Sequence, residues 1–364
     1  MMNRTLLLLA FSAFVTTGAR AQAITVFGIV DAAVEHVTRV GPAGTGLTRL
    51  PSLTGSVPSR IGFRGAEDLG GGLRAVFTLE QGFAPDTGGL SQGGRAFGRQ
   101  AFVGLSGPWG TLSFGRQYTM LYWSILVSDV LGPAIYGTGS LDPYIPNARV
   151  DNALAWRGNF GGWMLGATYS LGRDAVNAGN PAGTNCPGES AADAKACREW
   201  SVLARYDAAR WGVAWAKDTL RGGPGAFAGL SSSALTDTRL SANGYVKVGS
   251  LKASLGVVMR RNGASLSTPR SDLWYAGAVW SVAPALTLDG EVLRLDYAGS
   301  ADRAWLVAAR ATYALSRRTA LYVTAGAVSN EGSLALSVSA GAGGSNPQAG
   351  AGQTGVTAGM RHAF

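Results

Sequence analysis

The side chains of this chain that could act on a solute are charged residues recurring at alternate positions. Arg60 and Arg64 share a parity with Gly62, while Ile61 and Phe63 point the other way. Arg74, Thr78 and Glu80 likewise oppose Leu73, Ala75, Phe77 and Leu79; Arg99 alternates with Gln100 and Phe102; and Arg149, Asp151 and Arg157 oppose Val150, Leu154 and Trp156. In extended backbone, alternate side chains share a face, so these charges face water. Charges held close together where water is scarce discriminate ions by the field they impose. That is ion selection, with no bond made or broken. For bond-making the chain is poorly equipped: its two His and two Cys offer little for a zinc site or a Cys/His pair. Neither His36 nor His362 lies in a motif with the Ser and Asp or Asn that an activated nucleophile needs. No catalytic residue, metal or cofactor is expected.

The elements that carry these charges are strands. In 251–260, Leu251, Ala253, Leu255, Val257 and Met259 fall on one face, and Lys252, Ser254, Gly256 and Arg260 on the other. The same period of two recurs around Trp163–Leu171 and Val356–Phe364, and across the rest of the chain. Strands of about ten residues, joined alternately by tight turns and long polar loops, are the signature of a transmembrane barrel. Tight turns are expected at 68–72, 106–110, 159–162, 207–210, 247–250, 282–285 and 315–318. Longer loops are expected near 38–57, 84–96, 118–148, 174–198, 220–236, 262–271, 298–301 and 331–352. Seven turns and eight loops join sixteen strands. The predicted fold is therefore all-β, a 16-stranded antiparallel transmembrane barrel. Aromatic residues beside the turns (Trp109, Trp163, Tyr206, Trp211, Tyr313, Tyr322 and Phe364) are expected to sit at the lipid headgroups.

The amino terminus fits an exported barrel. Residues 1–21 read as a secretory signal peptide: Arg4, an apolar run from Leu6 to Val15, then small residues at Ala19 and Ala21. That run is too short for a membrane anchor. Removing it takes away Arg4 and Arg20 and no acid, so 31 basic and 22 acidic residues become 29 and 22, a net +7 for a barrel domain of 22–364. With no long basic run, nucleic acid is not an expected partner. Only 15% of residues are charged, against roughly 25% in ordinary soluble domains. Cys186 and Cys197, in the fourth loop, are expected to form a disulfide in the oxidising exterior.

Certain stretches are more specific. SRIGFRGAEDLGGGLRAVFTLEQGF (59–83) and RAFGRQAFVGLSGPWGTLSFGRQY (95–118) resemble the trimeric general porins of Gram-negative outer membranes, the beta-proteobacterial branch in particular. The resemblance continues in TVFGIVDAAV (25–34), RVDNALAWRGN (149–159) and the terminal RHAF. It implies a homotrimer in the outer membrane, among lipid and lipopolysaccharide, passing small hydrophilic solutes and ions, with each third loop folded inward to narrow its own pore.

By position in these motifs, Arg60, Arg99 and Arg149 match the arginines that line the family's constriction. Arg64, Arg74, Glu80, Asp151 and Arg157 are expected along the pore. The constriction loop, 118–148, is long enough to be functional; its only acids are Asp129 and Asp142, with Tyr122, Tyr136 and Tyr144 as polar lining. It has SDVLGPAIYG where the enterobacterial pattern carries Pro-Glu-Phe-Gly. Three or more arginines against one or two acids make an anion-preferring eyelet; a channel specific for phosphate or organic acids is the alternative. Arg116 shares the outward parity of Leu112 and Phe114, where facing lipid would cost about 2–4 kcal/mol. It is therefore expected at the trimer interface, paired with Asp86, the acid of a neighbour's second loop.

Overall fold

A computed structural model describes residues 24–174, 185–226 and 229–364. The expected signal peptide lies outside the described residues.

Every strand runs antiparallel to its neighbours. Chain order is β1 (Thr25–Val40), β2 (Thr45–Arg49), β3 (Arg60–Gly70), β4 (Leu73–Gly82), β5 (Gln100–Gly107), β6 (Gly110–Tyr118), β7 (Arg149–Phe160), β8 (Trp163–Ser170) and β9 (Glu199–Asp207). It continues with β10 (Trp211–Arg221), β11 (Thr236–Val248), β12 (Leu251–Asn262), β13 (Arg270–Ala283), β14 (Leu286–Tyr297), β15 (Arg303–Ala314), β16 (Thr319–Glu331) and β17 (Gln353–Ala363). The short β2 is a first-loop strand that folds back on the outer end of β1. The other sixteen are staves, and β1 closes the sheet by pairing with β17 on one edge and β3 on the other. Closure matters because an open edge in hydrocarbon would leave backbone groups unpaired. All seven tight turns fall where the spacing places them.

The closing seam is tight. Phe364 donates its backbone N–H to the Gly28 carbonyl, and Gly28 donates to the Phe364 carbonyl, both at 3.0 Å. A Cβ on Gly28 would sit 2.3 Å from the Phe364 ring and 2.7 Å from the Arg60 carbonyl oxygen. Gly28→Ala is therefore expected to lower the temperature at which the folded band is lost in a gel heat-modifiability assay.

The outer face carries the greasy half of each strand, with Val213, Trp274, Val307 and Val323 among its exposed residues, as lipid contact requires. Trp109, Trp163, Trp211, Tyr313 and Phe364 are exposed at the turn ends, and Tyr206 packs between Trp163 and Trp211 at 5.1 and 5.4 Å. Tyr322 departs from the expected aromatic girdle. It shares the inward face of β16, between outward Leu321 and Val323, and its hydroxyl donates to Asp31 in the barrel interior at 2.5 Å.

The interior has two unlike halves. Residues 119–148 fold inward as a helix α1 (Met120–Ile125), a short turn α2 (Thr138–Leu141) and a 3-10 turn at Ile145–Asn147. Against β10 and β12–β16 an apolar subset of the inward positions, Leu220, Val258, Leu273, Leu293, Leu306 and Val328, packs on Leu121, Ile125, Leu131, Ile135 and Tyr136 of the loop, interleaved with buried polar residues such as Asp218, Arg239, Asp289 and Glu291. A polar face lining water throughout is thus not what forms; on this side an apolar cluster together with buried polar contacts, among them Thr119 to Asp218 and Ser254 to the Ser128 carbonyl, clamps the third loop. Loops one and eight complete the plug, because Ile135 donates its N–H to Gly55, Thr54 its hydroxyl to Pro133, and Ser140 its hydroxyl to Val338. Open space remains on the β3–β7 side.

Candidate functional site: a basic cavity beside the third loop

That open side holds a cavity of about 390 Å³ between the β3–β7 wall and α1. Its inward-facing wall residues include Arg60 and Arg64 of β3, Thr78 and Glu80 of β4, Arg99 just before β5, and Arg157 of β7. Met120, Tyr122, Trp123 and Leu126 face them from the loop. The lining thus has four guanidiniums against one carboxylate, a formal +3.

Around Glu80 the charges converge. Arg99 Nε donates to Glu80 Oε1 at 2.7 Å, Arg60 Nε lies 3.2 Å from the same oxygen, and Gln100 Nε2 donates to Oε2 at 2.6 Å. Tyr118 joins the third arginine to this group: its hydroxyl accepts from Arg99 Nη2 at 2.8 Å and from Arg149 Nη2 at 2.7 Å. Arg149 also stacks over the Tyr118 ring at 4.4 Å. Arg60, Arg99 and Arg149 are therefore brought together, through Glu80 and Tyr118. Tyr118 lay outside the sequence reading, although its place at the end of β6, where the third loop departs, is the signal that could have found it. Tyr118→Phe leaves two guanidiniums short of an acceptor, a loss of about 1–3 kcal/mol, and is expected to lower the unfolding temperature in detergent.

Arg64 stacks over Phe27 at 5.3 Å and Arg157 over Trp123 at 3.7 Å. Among the described residues neither forms an ion pair. Arg74 shares the inward face of β4 with Thr78 and Glu80 but lies nearer the short turn, outside the cavity lining.

The loop acids do not meet Arg60, Arg99 or Arg149. Asp129 accepts from Thr138 Oγ1 and from the Gly132 N–H, both at 2.7 Å, and burial raises its pKa. Asp142 accepts from Arg239 of β11 at 2.8 Å; burial opposes its charge, but the Arg239 and Arg260 guanidiniums outweigh burial and hold the carboxyl below its usual range. Expected at the constriction, both instead fasten the loop, Asp142 to the opposite wall. Arg239 draws Asp142 to that wall, and the Thr138 hydroxyl and Gly132 N–H keep Asp129 within the loop. What the loop shows the arginines is neutral and aromatic. Tyr122 is the one expected loop tyrosine in the cavity; Tyr136 packs over Gly326 and Gly355, and Tyr144 donates to Asp218 at 2.8 Å.

A bulge accounts for two further departures. Gly115 pairs with Ala153 and Gln117 with Val150, so β7 carries an extra residue there, with Asn152 at φ 49. The alternation breaks: Arg157 stays inside, while Asp151 bonds Arg116, whose register partner is Ala101 on the outward parity of Phe114. Arg116 is thus satisfied within its own chain, and Arg95 of loop two also reaches Asp151, at 3.1 Å, and Asp174, at 2.6 Å. Asp86 instead accepts from Ser52 at 2.6 Å. Cys186 and Cys197 are joined by a disulfide.

Residues 5–333 match the profile of the Gram-negative porins, and the chain belongs to that family: it is an outer-membrane β-barrel pore. It is 28% identical to outer membrane porin protein 32 of Delftia acidovorans over the full length of both chains. Over 129 residues, a third of each chain, it is 40% identical to an outer membrane porin of Bordetella pertussis. Among solved structures, the anion-selective porin from Comamonas acidovorans superposes with a TM-score of 0.76 at 24% identity, covering 94% of this chain and 100% of that one. OmpT of Vibrio cholerae in its trimer form superposes with a TM-score of 0.65 at 12% identity, covering 95% and 100%.

Proposed function

We propose that this porin is an anion-preferring general diffusion pore for small hydrophilic solutes, working as a homotrimer among outer-membrane lipid and lipopolysaccharide, with Arg60, Arg99 and Arg149 setting its selectivity. The observation that carries this reading is the cavity lining of four guanidiniums and one carboxylate. Its single acid is held by two of those arginines, and no loop acid faces them across the cavity. Anions therefore meet a net positive field where low-dielectric walls weaken its screening. The selectivity named for the Comamonas porin and the trimer form of the Vibrio protein agree with this reading. In the proposal residues 1–21 direct export and are removed.

Native mass measurement of the purified mature chain should give three copies. Proteoliposome swelling separates a general pore from one specific for phosphate or organic acids: a general pore admits neutral sugars at rates that fall with size, with small anions faster than cations of equal size. Swelling with organic anions alone would replace it with the specific channel.

A further inference from the structure

The cavity holds more than charge needs. Chloride or phosphate would require only the guanidiniums, yet the lining also presents Phe102, Tyr122 and Trp123. Tyr122 stacks on Tyr118 with ring centroids 3.8 Å apart, and Trp123 stands edge-on to both rings, at 5.8 Å from Tyr122 and 6.2 Å from Tyr118. They share the cavity with Arg64 and Arg157, the two lining arginines that no carboxylate neutralises among the described residues. The guanidinium carbon of Arg157 lies over Trp123 at 3.7 Å and that of Arg64 over Phe27 at 5.3 Å, and with no carboxylate on either their N–H groups stay able to take a ligand carboxylate in two parallel bonds. A volume of about 390 Å³ lies within the range of small-molecule sites.

We infer that this cavity is a binding site for planar aromatic carboxylates of benzoate size, the carboxylate on Arg157 or Arg64 and the ring against Tyr122 and Trp123. The inference rests on the anion-preferring reading and names a solute class that the pore retains in passing.

The test is current block of the wild-type trimer in a planar bilayer under symmetric KCl, with benzoate, cyclohexanecarboxylate and acetate compared at equal ionic strength, together with the reversal potential of the same channel under a KCl gradient. Cyclohexanecarboxylate matches benzoate in charge and nearly in size but has no flat π face. Benzoate is expected to half-block at a concentration about fivefold lower than cyclohexanecarboxylate, and lower still than acetate. Trp123→Leu is expected to bring the benzoate-to-cyclohexanecarboxylate ratio close to one, a ratio unaffected by any change in the conductance itself. An anion-signed reversal potential with equal block by the two ring acids, or with no block by any of the three, overturns the aromatic site and leaves the anion preference standing. A cation-signed reversal potential removes the anion-preferring reading, and this inference with it.

Discussion

Replacing Arg99 by alanine is expected to lower the chloride-over-potassium permeability ratio about fivefold, and the triple change Arg60→Ala, Arg99→Ala, Arg149→Ala to bring it close to one or below. Arg99 sits nearest the middle of the basic group, on Glu80 at 2.7 Å and on Tyr118 at 2.8 Å. A unit charge about 4 Å from a passing ion is worth about 1 kcal/mol even in bulk water, which corresponds to about fivefold in the ratio. The triple variant also strips Glu80 of both its arginine partners, so the lining falls from a formal +3 to +1, with Arg64 and Arg157 left against a bare carboxylate. Reversal potentials under a KCl gradient read both effects. Because surface charge is screened within about 8 Å at physiological ionic strength, the change should shrink only partly in concentrated salt if these residues lie at the narrowest point.

Replacing Arg239 by methionine is expected to unfasten the third loop. Arg239 is 3% exposed and holds both Asp142 of the loop, at 2.8 Å, and Asp237 of its own strand, at 3.1 Å. Removing one partner of a buried pair costs about 3–5 kcal/mol, because the charge left behind has lost its water and its counter-ion. Asp237 keeps Arg260 at 2.8 Å, whereas Asp142 has no second ion-pair partner among the described residues. The barrel wall is secured by its own ladder, so the cost should fall on the loop: conductance is expected to rise, with noisier open-channel current and a modest drop in unfolding temperature. An unchanged conductance and noise would mean that the apolar packing of Ile135 and Tyr136 alone fixes the loop. The same pair has a pH signature. The Asp142 carboxyl is held below its ordinary value in the folded chain, so its stabilisation is complete above that value and is lost as pH falls through the depressed one. Noise in the wild type should therefore rise only below about pH 4.

Much of the barrel is legible in the sequence, since period-two alternation and turn chemistry are local. Gly70, Gly71 and Gly72, all at positive φ in the first tight turn, are one such turn read directly from the residues. Arg60 and Arg64 follow because parity fixes the face of each side chain on an unbroken strand. The bulge at Asn152 defeats that logic, since one extra residue moves Asp151 to the other face, and local sequence carries no signal of it. Tyr322 shows the limit of reading aromatics by position: parity between Leu321 and Val323 turns it inward, whatever its nearness to a turn. The acids of the third loop were beyond reach for another reason. Where Asp129 and Asp142 point depends on inward residues of distant strands, the apolar ones from Leu220 to Val328 spread over six strands and Arg239 on β11.

Selectivity is tested most directly by the reversal potential of the wild-type channel in a planar bilayer with KCl held tenfold more concentrated on one side. A lining of four guanidiniums against one paired carboxylate predicts ohmic steps and a potential of the sign set by chloride. A potential of the sign set by potassium would contradict it.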